Sequence, residues 1–345
     1  MSFIQQEIAA QPEVLKTLLA EGAAGAKQIG EAIRRFDPAF VLIAARGTSD
    51  NAGRYAQYLL GIEAGLPVAL AAPSLEILYD AALRVSRALV IGISQSGQAE
   101  DVRRVLSDAR SQGALTVSLT NNPESPLAKT AEYHMPLHAG EEISVAATKT
   151  YTAQLTAIAM IVDALLGRAE LSEQLAKTPE YVQQTLALCE PIAGWSERYR
   201  YMERFAVLGR GYNLCTAFEV SLKIKELCYI AGVEYSEADF RHGPIALIQP
   251  GFPVIAVAPQ GKTLSHMVEL LQQLQTRQAE CLVISNDEGA LTYAKKAMPL
   301  PAGVPEWLTP ILAVIPGQMF AMNLALMQGH AVDKPIGLTK VTITA

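Results

Sequence analysis

An internal repeat with an offset of 164 residues constrains the fold of this chain more than any other feature of its sequence. Gly47 follows a short apolar run and precedes a helical pattern, and Gly211 holds the same place 164 positions later. The same offset relates Gly97 to Gly261 after the next apolar run, and an offset of 165 relates the ends of a third pair. A nearly constant offset over three strand ends indicates that one structural unit occurs twice.

Each copy of the repeat alternates short apolar strands with helical stretches of about a dozen residues. Strands are predicted at residues 39–45, 88–93, 114–119, 204–208, 253–258 and 280–285. This alternation predicts an α/β fold, in which each copy is a doubly wound unit with a parallel sheet flanked by helices. Ligands of such sheets bind at the carboxyl ends of the strands, so functional residues are expected in the loops that follow them.

Three segments are predicted along the chain. They are an N-terminal helical segment at residues 1–35, a first domain at residues 36–188 and a second domain at residues 200–345. The joint is placed between residues 188 and 200 because a proline and a glycine interrupt the helical pattern there. A chain of 345 residues has the length of about two ordinary domains.

Composition and charge exclude several classes of protein. Hydrophobic residues make up 50% of the chain and charged residues 18%, which is typical of a globular protein with a covered sheet. The net charge of -6 and the scattered basic residues indicate no nucleic-acid surface. The four cysteines form no C-x-x-C pair, and the first residues lack the basic region of a signal peptide, so a cytoplasmic location is expected.

Residues 307–332 contain no Asp, Glu, Lys or Arg, which fits either a membrane span or a buried helix. Several residues interrupt this stretch, namely Pro310, Pro316, Gly317, Gln318 and Asn323. We therefore predict a buried helix at about residues 318–328, in the core or at an interface, and no membrane association.

Two loops rich in hydroxyl groups follow neighbouring strands of the first copy. One of them, which we call the hydroxyl loop (residues 94–97), consists of Ser94, Gln95, Ser96 and Gly97. It leads into a helix predicted to begin near Glu100. Backbone N–H groups at a helix start, with side chains that donate hydrogen bonds and a glycine that permits close approach, favour a bound phosphate. The alternative is an ordinary serine N-cap.

The second such loop consists of Gly47, Thr48 and Ser49, directly after the first strand of the same copy. Two loops of this kind at adjacent carboxyl ends favour a ligand over a simple cap. Residues 258–261 of the second copy lack hydroxyl groups, so phosphate binding is predicted for the first copy only.

The first helix of the second copy is apolar around most of its surface but carries Glu219, Lys223 and Glu226 on one face. One interpretation is a set of intrahelical ion pairs on a solvated surface. The other is a buried carboxylate beside a lysine, an arrangement that tunes a proton shuttle, and the apolar character of the helix favours it.

His242 and Lys340 are further candidates for catalytic residues, and each also has an interpretation without a catalytic role. A histidine in a loop is able to move the protons that open a sugar ring, although His242 alone is more typical of a structural or surface residue. Lys340 lies in a terminal segment that is normally solvated. The strand-like residues 341–344 nevertheless predict that the tail docks and brings Lys340 over a site.

Signals for a cofactor or a metal ion are weak. Gly209 and Gly211 lack the third glycine of a dinucleotide-binding turn. Pro136 separates His134 from His138, and no carboxylate cluster follows them. We therefore predict no cofactor and no metal ion.

Six motifs occur in order along nearly the whole chain: R-G-T-S, I-S-Q-S-G, V-A-A-T-K, L-K-I-K-E, R-H-G-P and L-T-K. Together they resemble the sugar isomerase (SIS) domain family. More closely, the chain resembles the isomerase half of glucosamine-6-phosphate synthase and its stand-alone deaminase relatives. The resemblance implies two tandem SIS domains and a homodimer whose site is shared between subunits.

The resemblance also implies which residues act on a phosphorylated amino sugar. The residues implied to bind it are Gly47, Thr48, Ser49, Ser94, Gln95, Ser96, Gly97, Val145 and Thr339. Glu226 would move a proton between C1 and C2, with Lys223 beside it. His242 would open the ring, reached from the partner subunit, and Lys340 would form a Schiff base with the open-chain ketose.

Two departures from the family pattern bear on the expected reaction. Ala99 stands where the phosphate loop usually has a threonine, and Glu100 and Asp101 follow it, so one phosphate hydrogen bond is missing or replaced. The chain is also expected to lack the glutaminase domain of the synthase. The expected reaction is therefore release of ammonia from glucosamine 6-phosphate, with formation of fructose 6-phosphate. The alternatives are a deglycase of 6-phosphorylated fructose-amino acids and a non-catalytic sugar-phosphate sensor.

Overall fold

The computed structural model describes residues 1–340, which form two α/β units. The first unit consists of Ala10–Glu142 and Lys149–Pro179, together with Thr339 and Lys340. The second unit consists of Met1–Ala9, Ile143–Thr148 and Glu180–Leu338. Each unit is therefore assembled from separate stretches of sequence. The predicted strand at residues 341–344 lies outside the described residues.

Both units contain a five-stranded parallel sheet. The strands of the first unit are β1 (Phe40–Ala44), β2 (Val68–Leu70), β3 (Ala88–Ile93), β4 (Leu115–Thr120) and β5 (Tyr133–Pro136). Those of the second unit are β6 (Arg204–Gly209), β7 (Ala231–Ser236), β8 (Pro253–Val257), β9 (Glu280–Ser285) and β10 (Lys296–Pro299). The spatial order is β2-β1-β3-β4-β5 in one sheet and β7-β6-β8-β9-β10 in the other. The identical order confirms the duplication and the α/β fold.

The sequence predicted the inner strands and missed the edge strands. The six predicted segments coincide with β1, β3, β4, β6, β8 and β9. The four strands that were not predicted, β2, β5, β7 and β10, are the edges of the two sheets. The inner strands are buried almost throughout, whereas the edge strands are mostly half-buried and lack a continuous apolar run.

Helices cover both faces of each sheet. Within residues 1–340 they are α1 (Phe3–Ala9), α2 (Gln11–Glu21), α3 (Ala23–Phe36), α4 (Thr48–Glu63), α5 (Ser74–Ile77), α6 (Glu100–Ser111), α7 (Pro126–Thr130), α8 (Lys149–Leu166), α9 (Ala169–Ala176), α10 (Thr178–Leu188), α11 (Ile192–Trp195), α12 (Leu214–Cys228), α13 (Glu237–Arg241), α14 (Leu264–Thr276), α15 (Glu288–Leu291) and α16 (Thr309–Met327). In the first unit α4 and α8 pack on one side of the sheet, and α6 and α7 pack on the other. In the second unit α12 and α16 lie opposite α14 and α15.

The helix α16 is longer than the sequence predicted, because it begins at Thr309 rather than near residue 318. Pro310 lies in its first turn, where a missing N–H removes no helical hydrogen bond, and Pro316 is accommodated inside the helix. The helix is long and apolar enough to cross a membrane, but 83% of its most apolar stretch is buried. It packs against α12 and β9, so its burial favours the core helix over a membrane span.

Candidate functional site

The chain order of the first unit reverses between β1 and β3, since β1 leads to β2 on one side and β3 leads to β4 on the other. A reversal of this kind opens a crevice at the carboxyl ends of the two strands, where ligands of doubly wound sheets bind. Gly47 and Thr48 follow β1, and the hydroxyl loop follows β3. The fold therefore brings together the two loops that the sequence singled out.

The hydroxyl loop is a tight turn held by its own serines. The N–H of Gly97 donates to Ser94 Oγ at 3.1 Å, and the N–H of Gln98 donates to Ser96 Oγ at 3.3 Å. Gly97 has a φ of +66°, and a Cβ there would lie 2.1 Å from Ser125 Oγ, so only glycine fits. Each serine hydroxyl accepts one of these bonds and keeps a hydrogen to donate. The structural role of Ser94 and Ser96 in the turn is therefore compatible with binding a ligand.

The other predicted phosphate ligands of the first unit differ in burial. Ser49 is buried in α4, and its hydroxyl accepts a hydrogen bond from Gln154 Nε2 of α8 at 3.0 Å. Thr48, the first residue of α4, is half-buried, and so is Gln95. Gly47 has a φ of +52°, and apart from Gly47 and its neighbours in the chain, no heavy atom of residues 1–340 lies within 4 Å of the place that a Cβ would take. This open space leaves room for a ligand at the start of α4.

Arginines neutralise the acidic residues that follow the hydroxyl loop. Asp101 is buried, and one of its carboxylate oxygens accepts from Arg46 Nε at 2.7 Å. Glu100 pairs with Arg103, whose Nε and Nη2 lie 2.7 and 2.5 Å from its two carboxylate oxygens. These hydrogen bonds lower the pKa of Glu100. The two carboxylates therefore add no net charge at the start of α6.

Lys340 is held in the first unit by a buried carboxylate that the sequence analysis missed. Its Nζ lies 2.8 Å from Glu142 Oε2, and the Glu142 side chain is fully buried. Thr150 donates to the same carboxylate from its N–H at 3.1 Å and from its hydroxyl at 2.7 Å. Thr339, directly before Lys340, is exposed. A signal was available in the sequence, since Glu141 and Glu142 stand just before the V-A-A-T-K motif.

The charged stripe of α12 is buried in the second unit. Lys223 Nζ lies 3.3 Å from Glu219 Oε1 and 2.5 Å from Glu226 Oε2. The side chains of Glu219 and Lys223 are 0% and 1% exposed, whereas that of Glu226 is 23% exposed. The interpretation as solvated surface pairs is therefore wrong. Glu226 is the member of this cluster that a ligand is able to reach.

Lys223 remains charged at neutral pH. Burial by itself disfavours the ammonium form, but the negative charges of Glu226 and Glu219 outweigh it and hold the pKa of Lys223 above its usual value. The ammonium group of Lys223 is therefore a fixed positive charge beside the Glu226 carboxylate.

His242 lies in the loop after α13. It is exposed and donates its backbone N–H to the Asp239 carbonyl oxygen at 3.1 Å. Within residues 1–340, no hydrogen bond or ion pair joins the His242 side chain to Glu226.

Val145 lies in a segment of the second unit, Ile143–Thr148, which we call the strap. The carboxylate of Glu7 in α1 accepts hydrogen bonds from two backbone N–H groups of the strap, at 2.5 and 3.2 Å. The N–H of Val145 donates to the backbone oxygen of Asp333 at 3.1 Å. The Asp333 carboxylate in turn accepts from two backbone N–H groups at the start of α1, at 3.1 and 2.9 Å. The N-terminal helix therefore fixes the position of Val145.

In the second unit an acidic side chain occupies the counterpart of the hydroxyl loop. Residues 258–261 follow β8, the equivalent of β3. The Glu306 carboxylate accepts from the N–H of Lys262 at 2.9 Å, and a Cβ on Gly261 would lie 2.1 Å from Glu306 Cδ. An internal carboxylate at this turn opposes the binding of another anion there.

The two histidines considered as a metal pair have separate partners. His134 Nδ1 lies 3.0 Å from the Ser118 hydroxyl, and His138 Nδ1 lies 3.0 Å from a carboxylate oxygen of Glu21. Residues 1–340 contain no group of three or more His, Cys, Asp or Glu side chains arranged to hold a metal ion. The four cysteines are free and buried, and burial raises the pKa of Cys189 to about 12.

Comparison with known proteins gives a family match in both copies of the repeat. The sequence model of the SIS domain family matches residues 39–164 and 200–328. A glutamine–fructose-6-phosphate aminotransferase (isomerizing) of Aquifex aeolicus is 35% identical, over 99% of this chain and 57% of its own length. The chain therefore spans somewhat more than half the length of such curated relatives.

Solved structures share the fold over nearly the whole chain. The C-terminal domain of glucosamine-fructose-6-phosphate aminotransferase from Francisella tularensis gives a TM-score of 0.87 at 29% identity, covering 97% of this chain and 98% of that domain. A Silicibacter pomeroyi protein, provisionally described as a phosphosugar isomerase, gives a TM-score of 0.85 at 32% identity. That comparison covers 96% of this chain and 99% of the other.

Proposed function

The chain belongs to the SIS domain family, and from that premise we propose that it is a sugar-phosphate isomerase that releases ammonia from an amino sugar phosphate. The proposed reaction converts glucosamine 6-phosphate and water to fructose 6-phosphate and ammonia. The observation that carries it is the α12 cluster, in which charged, buried Lys223 holds the partly exposed carboxylate of Glu226. The name of the Aquifex aeolicus relative includes fructose 6-phosphate and describes that relative as isomerizing, which supports fructose 6-phosphate as a ligand of this site.

In this proposal the phosphate group of the substrate binds at the carboxyl edge of the first sheet. The start of α6 offers backbone N–H groups, and the hydroxyl loop offers the Ser94 and Ser96 hydroxyls. Gly47, Thr48 and Ser49 form the neighbouring loop at the start of α4. Val145 and Thr339 keep the substrate-binding roles that the family resemblance implies.

Glu226 is the proposed acid–base residue. After ring opening, its carboxylate removes the proton from C2 of the open-chain aldose to give an enolamine, and then returns the proton to C1. A second proton passes from the amino group to the C1 oxygen, which leaves a hydroxymethyl group at C1 and an imine at C2. Water adds to the imine carbon, and the C–N bond breaks to give the ketone of fructose 6-phosphate and ammonia. Lys223 Nζ, 2.5 Å from Glu226 Oε2, holds this carboxylate in position.

Lys340 is proposed to form a Schiff base with the ketone of the open-chain sugar, a step in which the ketone oxygen leaves as water. An amine attacks a carbonyl carbon only in its neutral form, so the ammonium group must first give up a proton. The Glu142 carboxylate, 2.8 Å from Lys340 Nζ, is placed to accept that proton. Glu142 thereby joins the proposed catalytic set.

Ammonia release from glucosamine 6-phosphate tests the proposed reaction. The purified chain should form ammonia and fructose 6-phosphate in equal amounts, as measured by coupled enzymatic assays, and glucosamine without the phosphate should be a poor substrate. Release of an amino acid from a 6-phosphorylated fructose-amino acid would instead identify the deglycase. Binding of sugar phosphates without turnover of either substrate would identify a sensor.

We further propose a homodimer in which His242 opens the sugar ring in the site of the partner. The exposure of His242 supports this arrangement. Equal mixing of Glu226→Gln and His242→Ala chains tests it, because mixed dimers should recover about a quarter of the wild-type activity. Mixed dimers without activity would contradict the shared site. The cytoplasmic location stays a prediction from sequence.

A further inference from the structure

Arg46 carries a positive charge at the edge of the first sheet, and the reaction proposed above leaves it without a role. It lies between the end of β1 and Gly47, and its side chain is 52% exposed. Its Nε donates to Asp101 in the first turn of α6 at 2.7 Å, and the Asp101 side chain is 1% exposed. The guanidinium is therefore anchored beside the helix that the hydroxyl loop precedes.

Two other arginines near this edge are committed to carboxylates of their own helices. Arg103 uses both Nε and Nη2 on the two oxygens of Glu100, and Arg54 Nη2 lies 3.2 Å from Asp50. Arg46 differs because only its Nε has a hydrogen-bond acceptor within residues 1–340. Its two Nη amino groups remain able to donate to a ligand.

The proposed phosphate site needs charged hydrogen-bond donors that its loop does not provide. A phosphate monoester carries close to two negative charges at neutral pH. The hydroxyl loop offers neutral donors, and Ala99, directly before α6, has no hydroxyl. The two Nη groups of an anchored guanidinium form a planar fork that matches the oxygens of a phosphate group.

We propose that Arg46 binds the phosphate group of the substrate through its Nη groups and determines specificity for phosphorylated sugars. Asp101 is its positioning residue, because it holds Nε and fixes the direction of the fork. This inference rests on the proposed function for the identity of the sugar. The group that Arg46 is proposed to bind is a phosphate monoester dianion.

Titration with inorganic phosphate by calorimetry measures the role of Arg46 directly. Arg46→Ala should weaken phosphate binding by about 10- to 100-fold, the range for a charged hydrogen bond. The KM for glucosamine 6-phosphate should rise by a similar factor, and more than kcat falls. Arg46→Gln, which keeps most of the side-chain length, should behave in the same way. Arg104→Ala is the matched control, because Arg104 is 48% exposed and pairs with Asp108 farther along α6, and this variant should leave phosphate affinity nearly unchanged.

The double variant Arg46→Ala/Asp101→Asn separates phosphate binding from simple neutralisation of Asp101. If Arg46 contacts phosphate, the double variant should still bind phosphate at least about 10-fold more weakly than the wild type. If Arg46 served only to cancel the charge of Asp101, removal of both charges would restore wild-type affinity, and the inference would be overturned.

The same measurements distinguish a failure of this inference from a failure of the proposed reaction. Arg46-dependent phosphate binding without ammonia release would reject the reaction and retain the role of Arg46. Ammonia release by wild type, with unchanged phosphate affinity in Arg46→Ala, would reject the role of Arg46 and retain the reaction.

Discussion

Replacing Glu226 with glutamine is expected to lower kcat for ammonia release by about 10²- to 10⁴-fold, with little change in the KM for glucosamine 6-phosphate. Glutamine keeps the size of the side chain and an oxygen for Lys223 Nζ, but its amide does not remove a proton from carbon. The hydroxyl loop, where the phosphate group is proposed to bind, is untouched by the substitution. NMR in D₂O isolates the step, because the variant should fail to exchange the C2 proton of the substrate.

Glu234→Gln is the matched control for this experiment. Glu234 lies on β7 and pairs with Lys225 of α12 at 2.6 Å, and its side chain is 22% exposed, close to the 23% of Glu226. It contacts a different lysine of the same helix, so this variant should keep wild-type turnover. Wild-type C2 exchange in Glu226→Gln would show that another group is the base.

Replacing Lys223 with methionine is expected to lower the free energy of unfolding by about 3–5 kcal/mol. Methionine fills most of the volume, but it leaves the Glu219 carboxylate without the cation beside it in a fully buried position. Urea unfolding followed by circular dichroism measures the change. The pKa of Lys223 is raised in the folded protein, so its contribution is complete below the unperturbed value of 10.5 and is lost only as the pH rises further. Unfolding measured at neutral pH therefore includes the whole contribution of Lys223 to the free energy of unfolding.

Two further variants test whether the buried charge is the cause. Lys223→Met combined with Glu219→Gln should recover part of the lost stability, because the buried carboxylate is removed as well. Lys225→Met breaks an ion pair whose lysine side chain is 35% exposed, and should cost no more than about 1 kcal/mol. Equal losses in the Lys223 and Lys225 variants would contradict the importance of burial.

The fold was predictable because the inner strands of a doubly wound sheet are covered on both faces. Strands such as β3 and β9 are therefore largely continuous apolar runs. Because the repeat has an offset of 164 residues, the strands predicted in one copy were also expected at the equivalent positions of the other. Edge strands such as β2 and β7 are covered less, so their sequences carry no such run. The prolines of α16 shortened the predicted helix, because the sequence does not show that surrounding elements bury and support it.

By itself the sequence determined the repeat, the α/β class, the inner strands and the order of the six motifs, since these are local or periodic properties of a chain. Tertiary structure alone decided that Lys223 is buried, that Asp101 holds Arg46 and that Glu142 holds Lys340. The last two pairs join residues 55 and 198 positions apart. Separations of that size leave no periodic trace in a sequence, and such contacts exist only because folding brings distant segments together.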